Sequence, residues 1–466
     1  MPAPVIERLT DELNERLRAV QERERLPGLA VGIVDDQNLV WTGNVGFADL
    51  EGGRPPDCNS LYRVASITKT LTATAIVQLR DEGKLDLDDP LRRHLPEFAQ
   101  AQARVGTVDQ VTLRRLMTHH SGLVTEAPLP GWDAQEFGTR EALLAALPAI
   151  EVVIPADSAF KYSNLAFALL GEVVSRISGM PFERYLQTAL LDPLAMSSSV
   201  WELSDEPRHR LARGYYPLRS GHGFEPAPYV RLNGMAPCGQ LHSSVTDLAR
   251  WISLQFCGGD SPRGGRQVLS GSSLNEMHRP VLLEADWSIG YCLGWRAIRA
   301  GDRVYHGHGG GLHGYASQIQ FSLPHKLGVI CLANVWPHPG LQGAATEIAE
   351  MLIKGGWKGA VERPRSAASS TPPEWDALCG LYEAAPGIVA NVVVRHGALR
   401  LEPSRLGSYL LHAPARLDAG TSPDAFIVRG GRASGETAEF RRGPDGIGAQ
   451  IALAGFVYRR LATTDA

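Results

Sequence analysis

Ser66 and Lys69 stand three positions apart in Ser66-Ile67-Thr68-Lys69, at the head of the run TLTATAIVQLRDEG. Within that run Leu71, Ala75, Ile76 and Leu79 supply the buried stripe of a helix, and Gly83 ends it. Residues three apart on a helix share one face with Cβ atoms about 5–6 Å apart, so the lysine can reach the serine hydroxyl. A free serine is a poor nucleophile and needs a neighbouring base or a polarising charge. For lysine to serve as that base its reference pKa near 10.4 must fall by roughly 3 units, which burial and a second cation can supply. The pairing is weak alone, because Ser158-Ala159-Phe160-Lys161 repeats the spacing. That second copy follows Pro155 and opens no apolar helix.

Two further groups strengthen the first. Tyr162-Ser163-Asn164 precedes the apolar run LAFALLGEVVSRISG and is placed to present a phenol and an amide at a helix start. A phenol beside Lys69 would titrate with the amine as a coupled pair. His306-Gly307-His308-Gly309-Gly310-Gly311 comes just before the strand-like stretch Tyr315 to Leu323. Glycines let a substrate lie directly on the backbone, where free N–H groups can hold an oxyanion.

The elements around these residues can be read from periodicity. Ile6, Leu9, Leu13, Leu17 and Val20 give residues 4–25 one apolar helical face, and Leu26-Pro27-Gly28 stops that helix. Leu29 to Val40 reads as two strands joined at Asp-Asp-Gln-Asn. A helix-rich middle covers roughly 66–260, strands return around 288–335, and a last helix spans about 341–354. A stretch rich in Pro, Ser and Ala, 358–373, is the expected linker. Beyond it, short alternating segments such as NVVVRHGALRLE, AFIVR, AEFRR, AQIAL and FVYRR predict a small β-barrel or sandwich over 374–466.

Bulk properties narrow the class of function. The chain has 466 residues, enough for two or three domains, with 44% hydrophobic and 21% charged residues as in ordinary globular proteins. A net charge of −4 and the lack of any Lys or Arg run argue against nucleic acid as partner. No stretch of about 18 apolar residues predicts a membrane span, and the charged N-terminus has no apolar signal core, so a cytoplasmic location is expected. The six cysteines lie far apart with no Cys-x-x-Cys pair and read as reduced thiols.

Taken together, Ser66-x-x-Lys69, Tyr162-x-Asn164 and His308-x-Gly310 stand in the order and context of the three motifs of class C β-lactamase-like serine hydrolases. The flanks LYRVASITKTLTATAIVQLRDEGKLDLDDPLRRHLPEF, LRRLMTHHSGLV, FKYSNLAFALLGEVVSRISG and CGQLHSSVTDLARWI are similar too, and the resemblance covers about residues 8–355. It implies an α/β domain over 1–357, with an antiparallel sheet flanked by helices plus an all-helical part at about 80–260, and the site between them. The tail from Leu378-Cys379-Gly380-Leu381-Tyr382-Glu383 resembles a lipocalin-like all-β domain appended to some relatives. It is suited either to cover the cleft or to join copies into a homo-oligomer.

The resemblance makes Ser66 the acylated nucleophile, activated by Lys69 and Tyr162. Asn164 would bind the substrate's amide or carbonyl, His308 and Gly310 would line the site, and the N–H groups of Ser66 and Gly311 would form the oxyanion hole. No cofactor and no metal are required. One departure matters: His308 and Gly309 stand where β-lactamases carry Lys and a hydroxyl residue, which weakens the grip on a substrate carboxylate. Relatives with His there include family VIII carboxylesterases and D-amino-acid peptidases or amidases. The expectation is therefore a carboxylesterase-type hydrolase of small esters, amides or peptides, with a D-amino-acid peptidase or weak β-lactamase as alternatives, and with Tyr62, Trp132, Tyr291 and Tyr315 lining the cleft that chooses among them.

Three rival readings fit these residues less well. A lipase of the α/β-hydrolase fold needs Gly-x-Ser-x-Gly at the nucleophile, which is absent from the sequence. His306, His308 and His313 lack the acidic partners of a metal site. A penicillin-binding sensor that is acylated without turnover is separated from an enzyme by counting product per protein.

Overall fold

The computed structural model describes residues 3–461, apart from 133, 219–222, 259–264, 337–339, 358–371, 386–387, 396–397, 403–414, 430–432, 434 and 454–455. Most of the expected linker thus lies outside the described residues. The chain forms two compact units, Met1–Ala360 and Val361–Ala466.

In the first unit, helix α1 (Ala3–Glu24) leads into strands β1 (Gly28–Asp35) and β2 (Asn38–Gly46). Helices α2 (Thr68–Asp81), α3 (Asn164–Ser178) and α4 (Val245–Gln255) occupy the middle. Six strands follow: β3 (Leu282–Leu283), β4 (Ile289–Tyr291), β5 (Arg296–Ala300), β6 (Arg303–Leu312), β7 (Tyr315–Ser322) and β8 (Leu327–Ala333). Helix α5 (Leu341–Lys354) closes the unit. The sheet runs β2-β1-β8-β7-β6-β5-β4-β3, antiparallel throughout.

Burial explains why several of these strands show no alternation in sequence. All residues of β1, β7 and β8 are buried because both faces of the sheet are covered. On one face Leu13, Leu17 and Val20 of α1 and Leu341, Ile348 and Leu352 of α5 pack on Val31, Val329 and Cys331. On the other, Leu248 and Ile252 of α4 join the larger core that also holds α2 and α3. No single helix among the described residues is long and apolar enough to cross a membrane.

The second unit is an eight-stranded closed barrel of antiparallel neighbours, beginning with Gly380–Ala385 and closed by its pairing with Phe456–Arg460. Tyr382, Val392, Leu401, Phe426, Phe440 and Tyr458 fill its interior. All six cysteines of the chain are free thiols.

Candidate active site

Ser66 sits in a single 3₁₀ turn, Ala65–Ile67, that opens directly into α2. Ala65 holds φ +48°, a left-handed conformation that costs a residue with a Cβ about 1 kcal/mol or more and marks a sharp turn. The helix behind it is buried nearly all round, from Thr68 to Val77, rather than along one stripe. Its threonines tolerate this because their hydroxyls donate to backbone carbonyls: Thr70 to Ile67 O at 2.8 Å, Thr74 to Thr70 O at 2.8 Å, Thr72 to Pro237 O at 2.7 Å. The nucleophile is therefore mounted on a helix anchored in the core.

Lys69 is fully buried, and its three N–H directions are all matched. Its Nζ donates to Ser66 Oγ at 3.1 Å, Asn164 Oδ1 at 2.8 Å and Cys238 O at 2.7 Å. The Cys238 thiol itself is pushed up to about 11 by burial, so it is no competing nucleophile at neutral pH.

Tyr162 and Asn164 come from the start of α3. Ser163 is its N-cap, with Oγ accepting from Ala166 N at 2.9 Å and donating to Val124 O at 2.7 Å. This cap fixes the residues on either side of it. The Tyr162 hydroxyl donates to Ser66 Oγ at 2.8 Å, and its ring centroid lies 5.0 Å from Lys69 Nζ. Asn164 Nδ2 donates to Glu126 Oε1 at 2.6 Å, which fixes the amide orientation that turns Oδ1 to Lys69.

The third side is β6. Its pairing with β5 stops at Gly307 opposite Arg296, while its pairing with β7 continues to Leu312. Along the edge past Gly307, backbone groups have no strand partner there, and Gly309 and Gly311 are exposed. Gly310 must be glycine: a Cβ would lie 2.3 Å from both Val64 O and Ser317 Oγ. This close approach brings the strand against the turn that carries Ser66. Together Ser66, Tyr162, Arg296, His308, Gly311 and Gln318 line a cleft of about 310 Å³.

His308 is neutral. Burial, reinforced by Arg296 and Lys69, lowers it to about 3. Its Nδ1 lies 2.6 Å from Gly309 O, and since a carbonyl only accepts, Nδ1 carries the proton and Nε2 keeps a bare lone pair. The cation of the open cleft is instead Arg296, stacked 5.3 Å from the Phe160 ring and 6.0 Å from the Tyr162 ring. No group of three or more His, Cys, Asp or Glu able to hold a metal occurs among the described residues.

The sequence model of the β-lactamase family matches residues 13–352. The chain belongs to this family. Beta-lactamase-like protein 2 of Dictyostelium discoideum is 28% identical over 338 residues, which are 70% of this chain but only 59% of that relative's length. Among solved structures, an octameric penicillin-binding protein homologue from Pyrococcus abyssi matches with a TM-score of 0.63 at 22% identity, over 97% of this chain and 99% of that one. A D-stereospecific amidohydrolase from Streptomyces matches with a TM-score of 0.60 at 24% identity, over 72% and 96%. The fold is thus that of β-lactamases and transpeptidases, with an all-β unit added.

Within this β-lactamase-family scaffold, the structure brings Ser66, Lys69, Tyr162, Asn164, His308, Gly310 and Gly311 into one neighbourhood. The decoy pair stays apart: Ser158 Oγ donates to Pro155 O, and Lys161 Nζ donates to Thr125 Oγ1. Of the aromatics expected to line the cleft, Tyr62 and Tyr315 are buried in the core and Tyr291 stacks on Phe160 at 4.1 Å. Trp132 lines a separate recess beside Phe137. Sequence reasoning passed over Arg296 and Glu126, and from sequence His119-His120 reads only as part of a turn ending at Ser121-Gly122. His119 is buried with Nδ1 accepting from Ser163 N at 3.1 Å, and burial with Lys69 nearby lowers it well below the usual histidine value.

Proposed function

We propose that the chain is a serine hydrolase that cleaves small esters or amides through an acyl-enzyme on Ser66. One observation carries this reading: Ser66 Oγ is held between the Tyr162 hydroxyl at 2.8 Å and the Lys69 amine at 3.1 Å, at the mouth of an open cleft. With all three N–H directions of Lys69 spent on acceptors, Tyr162 is the base, and it takes the serine proton as a phenolate, its own proton having first been given up to solvent. Ser66 Oγ then bonds to the substrate carbonyl carbon, and the N–H groups of Ser66 and Gly311 hold the resulting oxyanion. Collapse of the adduct expels the leaving group, which takes its proton back from Tyr162. Water, deprotonated by Tyr162, attacks the acyl carbon, and the proton passes to Ser66 Oγ as it departs.

Carboxylesterase-type activity is favoured over strong β-lactamase activity because His308 is neutral and offers its lone pair, not a charge, to a substrate carboxylate. The test is a chromogenic short-chain ester together with an active-site phosphonate. Many product equivalents per protein and phosphonate on Ser66 support the proposal. At most one equivalent of product points to a penicillin-binding sensor instead, and label on another side chain ends the assignment of the nucleophile.

A further inference from the structure

Beside the nucleophile lies a second recess, of about 410 Å³, walled by Leu129, Trp132, Phe137, Leu143 and Met235. Among its described lining residues one is ionisable, Glu126. No lysine or arginine among the described residues stands within ion-pair distance of this carboxylate, and the hydrogen bond it accepts comes from Asn164 Nδ2 at 2.6 Å. Three hydrogen bonds in series join Glu126 to Asn164, Lys69 and Ser66. From the other side, the Trp132 ring lies 5.7 Å from that of His313, which stands in the turn just past Leu312, the last residue of the strand that flanks the nucleophile. The recess is therefore within reach of an acyl group bonded to Ser66.

A carboxylate at the edge of an apolar pocket, with one amide donor and no cation of its own, has acceptor capacity left over. Pairing that charge with a ligand ammonium is favourable in such a setting, and the neighbouring indole face adds cation–π attraction. We propose that this recess is the acyl subsite and that it selects acyl groups bearing a free, protonated α-amine and an apolar side chain. The amine pairs with Glu126 and the side chain enters between Trp132 and Phe137. The substrates are then esters and amides of unblocked hydrophobic amino acids, including the N-termini of short peptides. This rests on Ser66 being the acylated residue.

The test compares three substrates on the full-length chain: a phenylalanine p-nitroanilide, its N-acetyl counterpart (each as both enantiomers) and p-nitrophenyl butyrate. At pH 7 the free-amine anilide of at least one hand should exceed its N-acetyl form in kcat/KM by about 10-fold or more, with the preference fading above about pH 8 as the amine loses its proton. Glu126→Gln keeps an oxygen to accept from Asn164 and removes the charge, so it should lower that ratio by about 10-fold. Butyrate turnover without any free-amine preference overturns the inference and leaves the hydrolase reading standing. An equal fall on all three substrates in Glu126→Gln also overturns it, since Glu126 would then act only by orienting Asn164. No butyrate turnover and no phosphonate on Ser66 would bring down both readings together.

Discussion

The imidazole of His119 lies against the phenol ring of Tyr162, with centroids 4.3 Å apart and planes inclined by 33°. The same imidazole accepts the backbone N–H of Ser163 and borders Phe160 and Phe167. It therefore braces the phenol that touches Ser66 from behind. His119 also holds φ +61°, a conformation asparagine tolerates better than most residues. His119→Asn keeps an acceptor near Ser163 N but removes the ring, and should lower kcat on a short ester by about 10-fold with KM changed by less than about 3-fold. A larger change in KM than in kcat would mean that His119 shapes the binding cleft rather than positioning Tyr162.

Ser66→Ala should abolish ester turnover with the fold intact, whereas Ser158→Ala should leave the rate close to that of the parent. The two serines share a Ser-x-x-Lys spacing, yet Lys161 is spent on Thr125 and Ser158 on a carbonyl. Steady-state kinetics on the two variants decides this directly. The reverse pattern would remove Ser66 from the mechanism.

Lys69→Ala and Tyr162→Phe should each reduce turnover by about 10²-fold or more, the usual consequence of losing acid–base help. The two losses should not add, because Lys69 and Tyr162 converge on the same oxygen. A double variant measured beside both single ones checks the coupling. Independent, additive losses would separate the two residues into different steps.

Much of this arrangement is legible in the amino-acid sequence, and the reason is local. Ser66 and Lys69 lie one helical turn apart, and Tyr162, Ser163 and Asn164 are contiguous around a cap, so chain spacing alone brings each group together. Helix α1 is legible from apolar periodicity, since Leu13, Leu17 and Val20 fall on its one buried face. What spacing does not convey is contact across elements. Arg296 reaches the cleft because β5 begins opposite Gly307, and Glu126 meets Asn164 from a loop. Neither position has a periodic or motif signal. The choice of cleft aromatics fails for a related reason: residue type does not distinguish a lining tyrosine from one, like Tyr315, whose hydroxyl is spent on Ala212 O in the core.

Gly309 and Gly310 adjoin in sequence but differ in what a side chain would meet. At Gly310 a Cβ falls 2.3 Å from the carbonyl of Val64, backbone that cannot move without shifting the turn under Ser66. At Gly309 the nearest atom, at 2.8 Å, is Gln318 Oε1, the far end of a flexible side chain. Gly310→Ala should therefore cost about 10²-fold or more in kcat, and Gly309→Ala far less. Equal losses would show that the strand, not its contact with Val64, sets the geometry.

Stability should depend on pH through histidines held neutral in the core. Burial lowers His242, His278 and His308 to about 3, and lowers His119 well below its usual value. In the unfolded chain all four titrate near 6.5. Between about pH 6.5 and 3 the unfolded state thus binds more protons than the folded one, so stability is fully present above that window and falls as pH falls through it. Each histidine can contribute up to about 1.4 kcal/mol per pH unit there. The buried carboxyls Asp35 and Asp247, raised by desolvation, work in the opposite direction but are two against four. The urea midpoint of the first unit's unfolding transition should drop by an amount equivalent to several kcal/mol between pH 7.5 and 5. A midpoint that stays level or rises would mean that these imidazoles take up protons without unfolding.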